Sequence, residues 1–167
     1  LDVFFSWERH VANMTREVHK AAMADRDAAF AAFVAGDHHN GSSLGGIVEH
    51  YQATLAREPR ENMLRLHYAD MLHDLPDAVA KIAAHVGIEH PPELIARIAD
   101  AARFDSMKAN AERFTPSAGQ DFWHDDKGFF DSAGTAKWAG KLSPAQLDAY
   151  DTRMAALVGP DERRWLE

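Results

Sequence analysis

Apolar residues recur at spacings of three and four from the first residues onward. Val3, Trp7, Val11, Met14 and Val18 share one face of an amphipathic helix predicted over about Asp2 to Met23, with Asp2 in the N-cap position. A second helix, about Asp25 to Val34, carries Phe30, Phe33 and Val34 on one side, and Ile47, Tyr51 and Leu55 mark a third that stops near Pro59. Between them, Gly36 to Gly46 is broken by Gly, Asp, Asn and Ser and reads as a loop. The run Asn62–Tyr68 is short, apolar at Met63, Leu64 and Leu66, and reads as a buried strand. Helical stripes return with Leu75, Val79, Ile82 and Val86, closed by Gly87, and with Leu94, Ile95 and Ile98 behind Pro91-Pro92. A short helix follows from Phe104 to about Arg113. From Phe114 to Lys141 the texture is that of a long loop holding six aromatic residues, the kind of stretch that serves as a functional loop or lid. Ser143-Pro144-Ala145-Gln146 then spells an N-cap, a first-turn proline and a capping-box glutamine ahead of Leu147, Tyr150, Met154 and Leu157.

A single strand cannot satisfy its own backbone groups. The pattern therefore fits either an all-α domain with one extended segment or a portion of an α/β sheet. The expectation is the second: an α/β fold with a parallel sheet, residues 1–167 forming one incomplete domain. Opening on Leu1 inside a patterned segment points the same way, to a fragment of a longer protein.

Composition narrows the chemistry. Nine Phe, four Trp and three Tyr are enough to build a core, which excludes general disorder. A net charge of −8 argues against nucleic acid as a partner, because such binding draws on Lys and Arg against phosphates. No apolar run is long enough to span a membrane, and no signal peptide is recognisable. The absence of cysteine excludes disulfides and thiolate chemistry and fits a cytoplasmic protein.

Candidate sites are few. The adjacent pair His38-His39 and the pair His85 and His90 lack metal-ligand spacing, so no metal is expected. Gly41-Ser42-Ser43-Leu44-Gly45-Gly46 precedes a helix whose N-terminus could hold an anion, but no lysine and no strand accompany it. Phe122-Trp123, Phe129-Phe130 and Trp138 either seal the long loop onto the core or offer a stacking surface to a flat ligand.

Four segments in register resemble the sulfotransferases that use 3′-phosphoadenosine 5′-phosphosulfate (PAPS). Leu1-Asp2-Val3-Phe4-Phe5-Ser6 is similar to the second half of the family's Arg-x-Pro-x-Asp-x-x-x-Ser motif. Leu64-Arg65-Leu66-His67-Tyr68-Ala69-Asp70-Met71 resembles its strand ending in Arg-Tyr-Glu-Asp-Met, and the helix Asp77 to Gly87 closes like the family's Ile-x-x-Phe-Leu-Gly. Phe104-Asp105-Ser106-Met107-Lys108-Ala109-Asn110 is close to Ser-Phe-x-x-Met-Lys-x-Asn. Phe129-Phe130 through Trp138 stands where the family has Phe-x-Arg-Lys-Gly-x-x-Gly-x-Trp. The resemblance implies an α/β fold related to nucleotide kinases and transfer of a sulfuryl group from PAPS, the co-substrate, to a small-molecule acceptor hydroxyl or amine.

Residue by residue, the resemblance puts Ser6 at the donor's 3′-phosphate, Tyr68 in the adenine pocket, Phe104 stacked on adenine and Met107 lining that pocket. No catalytic residue falls within the chain. The family's Tyr-Pro-Lys-Ser-Gly-Thr-Thr loop and its histidine base belong to segments that residues 1–167 do not contain, so these residues alone are expected to be inactive. Asp131-Ser132-Ala133 replaces Arg-Lys-Gly, and an Asp repels the phosphate an Arg would clamp. Lys137 or Arg103 is expected to supply the missing cation, with Asp131 turned to solvent. Two other readings stay open at this point: a non-catalytic nucleotide-binding relative, and an unrelated all-α interaction domain.

Overall fold

A computed structural model describes residues 1–37, 42–57 and 60–167. Eleven α-helices and one 3₁₀ turn account for their regular structure. In order these are α1 (Asp2–Asn13), α2 (Glu17–Ala21), α3 (Arg26–Ala35), α4 (Leu44–Leu55), α5 (Tyr68–His73), α6 (Leu75–His85), α7 (Pro92–Ala101), α8 (Phe104–Ala109), α9 (Ala111–Phe114), the 3₁₀ turn Asp126–Phe129, α10 (Pro144–Leu157) and α11 (Pro160–Leu166). The histidine pair His38-His39 lies outside the described residues.

No sheet forms among the described residues, which overturns the expected α/β fold with a parallel sheet; an isolated antiparallel bridge joins Met14 to Trp123. Residues 63–67 belong to no helix or strand, and Tyr68, read as the strand's last residue, opens α5. Leu64 is exposed and no neighbouring strand completes its ladder, so the segment has neither the burial nor the hydrogen bonds that define an interior strand. The alternative arrangement, helices with one extended segment, is the one observed.

The chain divides into two compact units. The first comprises Leu1–Glu8, Val18–Pro59 and Ala136–Glu167. Its core joins Phe4, Phe5, Phe30, Phe33, Val34, Leu44, Val48, Tyr150, Met154 and Val158, with α3 packed on α4 and α10. Phe4 meets Phe5 and Phe30 edge-to-face at centroid separations of 5.4 and 5.2 Å, the arrangement aromatic quadrupoles favour. Local signals fix the helix ends. Asp25 accepts from the Ala28 amide at 3.0 Å to start α3. At α10 the capping box is complete, with the Gln146 amide donating to Ser143 Oγ at 3.3 Å and the Ser143 amide to Gln146 Oε1 at 2.9 Å.

The second unit comprises Arg9–Glu17 and Arg60–Thr135. Here α5, α6, α7, α8 and α9 pack each on the next in chain order. Gly87 takes φ +72° beyond the end of α6, the left-handed conformation that glycine adopts without a Cβ penalty, and its amide donates to Ala84 at 3.1 Å.

Two predicted helices are corrected in detail. The long first helix stops at Asn13, because Thr15 spends its amide and hydroxyl on the carbonyls of Phe122 (3.1 Å) and Asp121 (2.6 Å). Asp2 is the first helical residue rather than the cap. The helix begun at Phe104 divides at Asn110, whose side-chain amide donates to the Ser106 carbonyl at 2.8 Å.

Candidate functional site

Two groups of residues carry the polar and aromatic chemistry, one in each unit. In the first unit, Asp2 and Ser6 stand four residues apart and so share one face of α1. The Asp2 carboxylate accepts two successive backbone amides, from Ala136 at 2.7 Å and from Lys137 at 2.6 Å. Paired amides of this kind form a concave nest for an anion, and here the anion is the chain's own. Ala136 adopts φ +57°, a left-handed conformation that costs an alanine roughly 1–2 kcal/mol. From the same loop, Lys137 Nζ donates to Ser6 Oγ at 3.3 Å. A hydroxyl that accepts from an ammonium keeps its own proton free to donate, and the ammonium keeps further N–H groups. The pair can therefore present two donors to one anionic oxygen group. Trp138, packed against the core, holds the next residue of the loop.

Of the two lysines flanking Trp138, only Lys137 reaches Ser6 among the contacts described; Lys141 Nζ lies 5.0 Å from the centre of the Phe5 ring. Arg103 pairs with Asp100 at 3.0 Å. Asp131 is exposed, as expected, and forms a surface ion pair with Arg9 at 2.8 Å.

The glycine-rich turn before α4 also has an internal explanation over its described part. A Cβ on Gly45 would stand 2.5 Å from Asp37 Oδ1 and 2.8 Å from the Gly36 carbonyl. Glycine is therefore required by close approach of the chain itself. The Asp37 carboxylate sits beside the first turn of α4 and pairs with Arg153, so an anion at this helix end would meet a carboxylate.

In the second unit the loop aromatics are committed to one another. Phe129 stacks on His10 at 4.8 Å, meets Trp123 at 5.4 Å and Phe130 at 5.3 Å, and Trp123 donates to the Pro116 carbonyl at 2.6 Å. They pack on one another and on His10 within the second unit. Phe104 meets Phe130 edge-on at 6.0 Å, while Lys108 Nζ lies 5.7 Å from the Phe104 ring centre. A base stacking on that face would exchange with the Lys108 cation–π contact. Met107 is half-buried on α8, and Tyr68 is 56% exposed at the start of α5. No ring contact joins Tyr68 to Phe104 among the described residues. Nor is there any group of three or more His, Asp or Glu that could hold a metal.

Sequence reasoning missed Asp2 as a loop anchor. Its only signal was the spacing of Asp2 and Ser6, which places both side chains where one loop can meet both.

A sulfotransferase domain family model matches residues 1–160, and the chain belongs to that family. A glycolipid sulfotransferase of Mycobacterium bovis (strain BCG / Pasteur 1173P2) is 27% identical over 123 residues, covering 74% of this chain and 38% of the relative. A glycolipid sulfotransferase of Mycobacterium tuberculosis (strain ATCC 25177 / H37Ra) gives the same figures, 27% over 123 residues. The match thus spans 38% of the length of these relatives. No solved structure matches the chain. Membership in the family removes the reading of an unrelated interaction domain, even though the described residues are helical. No described helix is long and apolar enough to cross a membrane.

Proposed function

We propose that the protein, in its intact form, transfers the sulfuryl group of PAPS to an acceptor hydroxyl or amine. The observation that carries this reading is the 3.3 Å contact of Lys137 Nζ with Ser6 Oγ. It puts a cation beside the serine that the family resemblance assigns to the donor's 3′-phosphate. In the transfer, the acceptor oxygen or nitrogen forms a bond to sulfur as the bond between sulfur and the 5′-phosphate oxygen breaks. The electron pair leaves with PAP (3′-phosphoadenosine 5′-phosphate), and the acceptor proton passes to a base. Catalysis of this type rests on positioning and on neutralising the charge that develops on the leaving phosphate. On this reading Ser6 and Lys137 hold the 3′-phosphate. The names of the mycobacterial relatives make a glycolipid the first acceptor to assay.

The test is PAP release by the full-length protein from PAPS with and without a glycolipid acceptor. Acceptor-dependent release supports the enzyme. PAP binding without turnover favours a non-catalytic relative, and no binding of PAP or PAPS overturns both. Residues 1–167 carry no Pro-Lys-Ser-Gly-Thr loop. Alone they are expected to release PAP at background, since such electrostatic assistance is worth about 10² or more in rate.

A further inference from the structure

We infer that Asp2 is a positioning residue for donor binding: by holding the amides of Ala136 and Lys137, its carboxylate aims the Lys137 ammonium at Ser6 and so builds the cation that the Asp131-Ser132-Ala133 loop lacks. The inference rests on the reading of the Ser6 region as the site of the 3′-phosphate.

Three observations in the first unit converge on it. Asp2 takes both amides through separate oxygens, at 2.7 Å from Ala136 and 2.6 Å from Lys137, so the peptide between them is fixed in orientation as well as in place. Ala136 is held at φ +57°, a conformation that an alanine keeps only where its surroundings impose it. The Lys137 side chain then leaves the same residue whose amide is pinned and reaches Ser6 Oγ at 3.3 Å, one helical turn along α1 from Asp2. A flexible four-carbon ammonium gains most from a fixed origin, because its own torsions are otherwise free.

The negative charge of Asp2 would by itself oppose a phosphate bound one turn away. Two short amide bonds and a place in the first turn of α1 offset that charge. What reaches the phosphate is the lysine. The device thus converts a carboxylate into an indirect contributor to anion binding, which neither charge counting nor the motif's letters would suggest.

The experiment measures PAP and AMP affinity of the full-length protein by calorimetry, AMP being the ligand without the 3′-phosphate. Lys137→Ala is expected to weaken PAP about tenfold or more, the scale of a charge-assisted hydrogen bond, and to leave AMP unchanged. Asp2→Asn should reproduce that selective loss in part, since its amide group cannot accept both backbone N–H groups. If Asp2→Asn does not fold, Asp2→Glu, which alters reach but keeps charge, takes its place with the same expectation. Equal weakening of PAP and AMP would mean a merely structural role and overturn the inference. Unchanged PAP affinity in either the Asp2 or the Lys137 variant overturns it as well. A wild-type protein that fails to bind PAP overturns the underlying reading instead, and the inference with it.

Discussion

The two units of this chain are built from similar helices and hold them together very differently. Among the described residues, the first unit buries Phe4, Phe5, Phe30, Phe33, Tyr150 and Met154 in one continuous cluster. The second buries Val11, Met14 and Phe130, and beside them the alanines Ala78, Ala99 and Ala111. Along residues 64–98, however, Leu64, Leu72, Ile82, Val86, Ile88 and Ile98 stand exposed. Amphipathic periodicity is present in both units, so the pattern states which face of a helix is apolar and leaves open what covers it. Burial of a large side chain is worth roughly 1.5–3 kcal/mol, and α6 and α7, whose buried residues are Ala78 and Ala99, leave much of it unrealised.

The contrast breaks most directly at the cores. Phe30 is 2% exposed and touches Phe4 and Phe33, whereas Ile82 on α6 is 42% exposed. Phe30→Ala should lower the free energy of unfolding by about 3–5 kcal/mol, transfer and cavity terms together. Ile82→Ala should cost less than about 1 kcal/mol. Urea denaturation of the two variants beside the wild type is the measurement. Comparable losses would show that α6 is buried in solution and dissolve the distinction between the units.

Titration sharpens the same contrast, because the strongly perturbed phenol lies in the first unit. Burial, then the nearby Glu167 carboxylate, pushes the Tyr150 hydroxyl well above its ordinary range, and that hydroxyl donates to Glu167 at 3.1 Å. The folded state therefore holds this proton to higher pH than the unfolded chain does. The stability it confers is whole below the ordinary value near 10 and is lost as pH rises beyond it. Wild type should lose up to about 1.4 kcal/mol per pH unit from this group above about pH 10. Tyr150→Phe should remove that component, so the difference between wild type and variant shrinks with rising pH. A constant difference from pH 8 to about 11.5 would show that Tyr150 titrates alike in both states, against the upward shift that sets the slope.

What the sequence made legible follows from which forces are local. Asp25 at α3, the Ser143-Gln146 box at α10 and Gly87 behind α6 were readable because each acts within a few residues of itself. The break after Asn13 was not, since Thr15 answers to carbonyls more than a hundred residues away. The same holds for Asp2, whose spacing suggests a cap while its partners lie at Ala136 and Lys137. Residues 62–68 failed for a different reason. A run with Met63, Leu64 and Leu66 apolar has the composition of a strand, but a strand is defined by neighbouring strands, and no such ladder forms among the described residues. At the candidate site, the contact of Lys137 with Ser6 stands beside a backbone nest that no residue pattern announces, whereas Ser6 could be named from its motif alone.

If local forces are indeed shared and long-range packing is what separates the units, helix caps should cost the same in both. Ser143 Oγ accepts from the Gln146 amide at 3.3 Å at the start of α10, and Asp74 Oδ1 accepts from the Asp77 amide at 2.9 Å at the start of α6. Each satisfies one of the orphan donors of a helix of similar length, and neither depends on what its helix packs against. Ser143→Ala and Asp74→Ala should each lower stability by about 1 kcal/mol. The Asp74 variant should lose slightly more at low salt, because its charge also faces the positive end of the α6 dipole. Urea titrations of both variants at low and high ionic strength provide the comparison. A cost near 1 kcal/mol at Ser143 with none at Asp74 would mean that α6 frays at its start in the folded protein. The difference between the units would then reach down to the helices themselves rather than stopping at their packing.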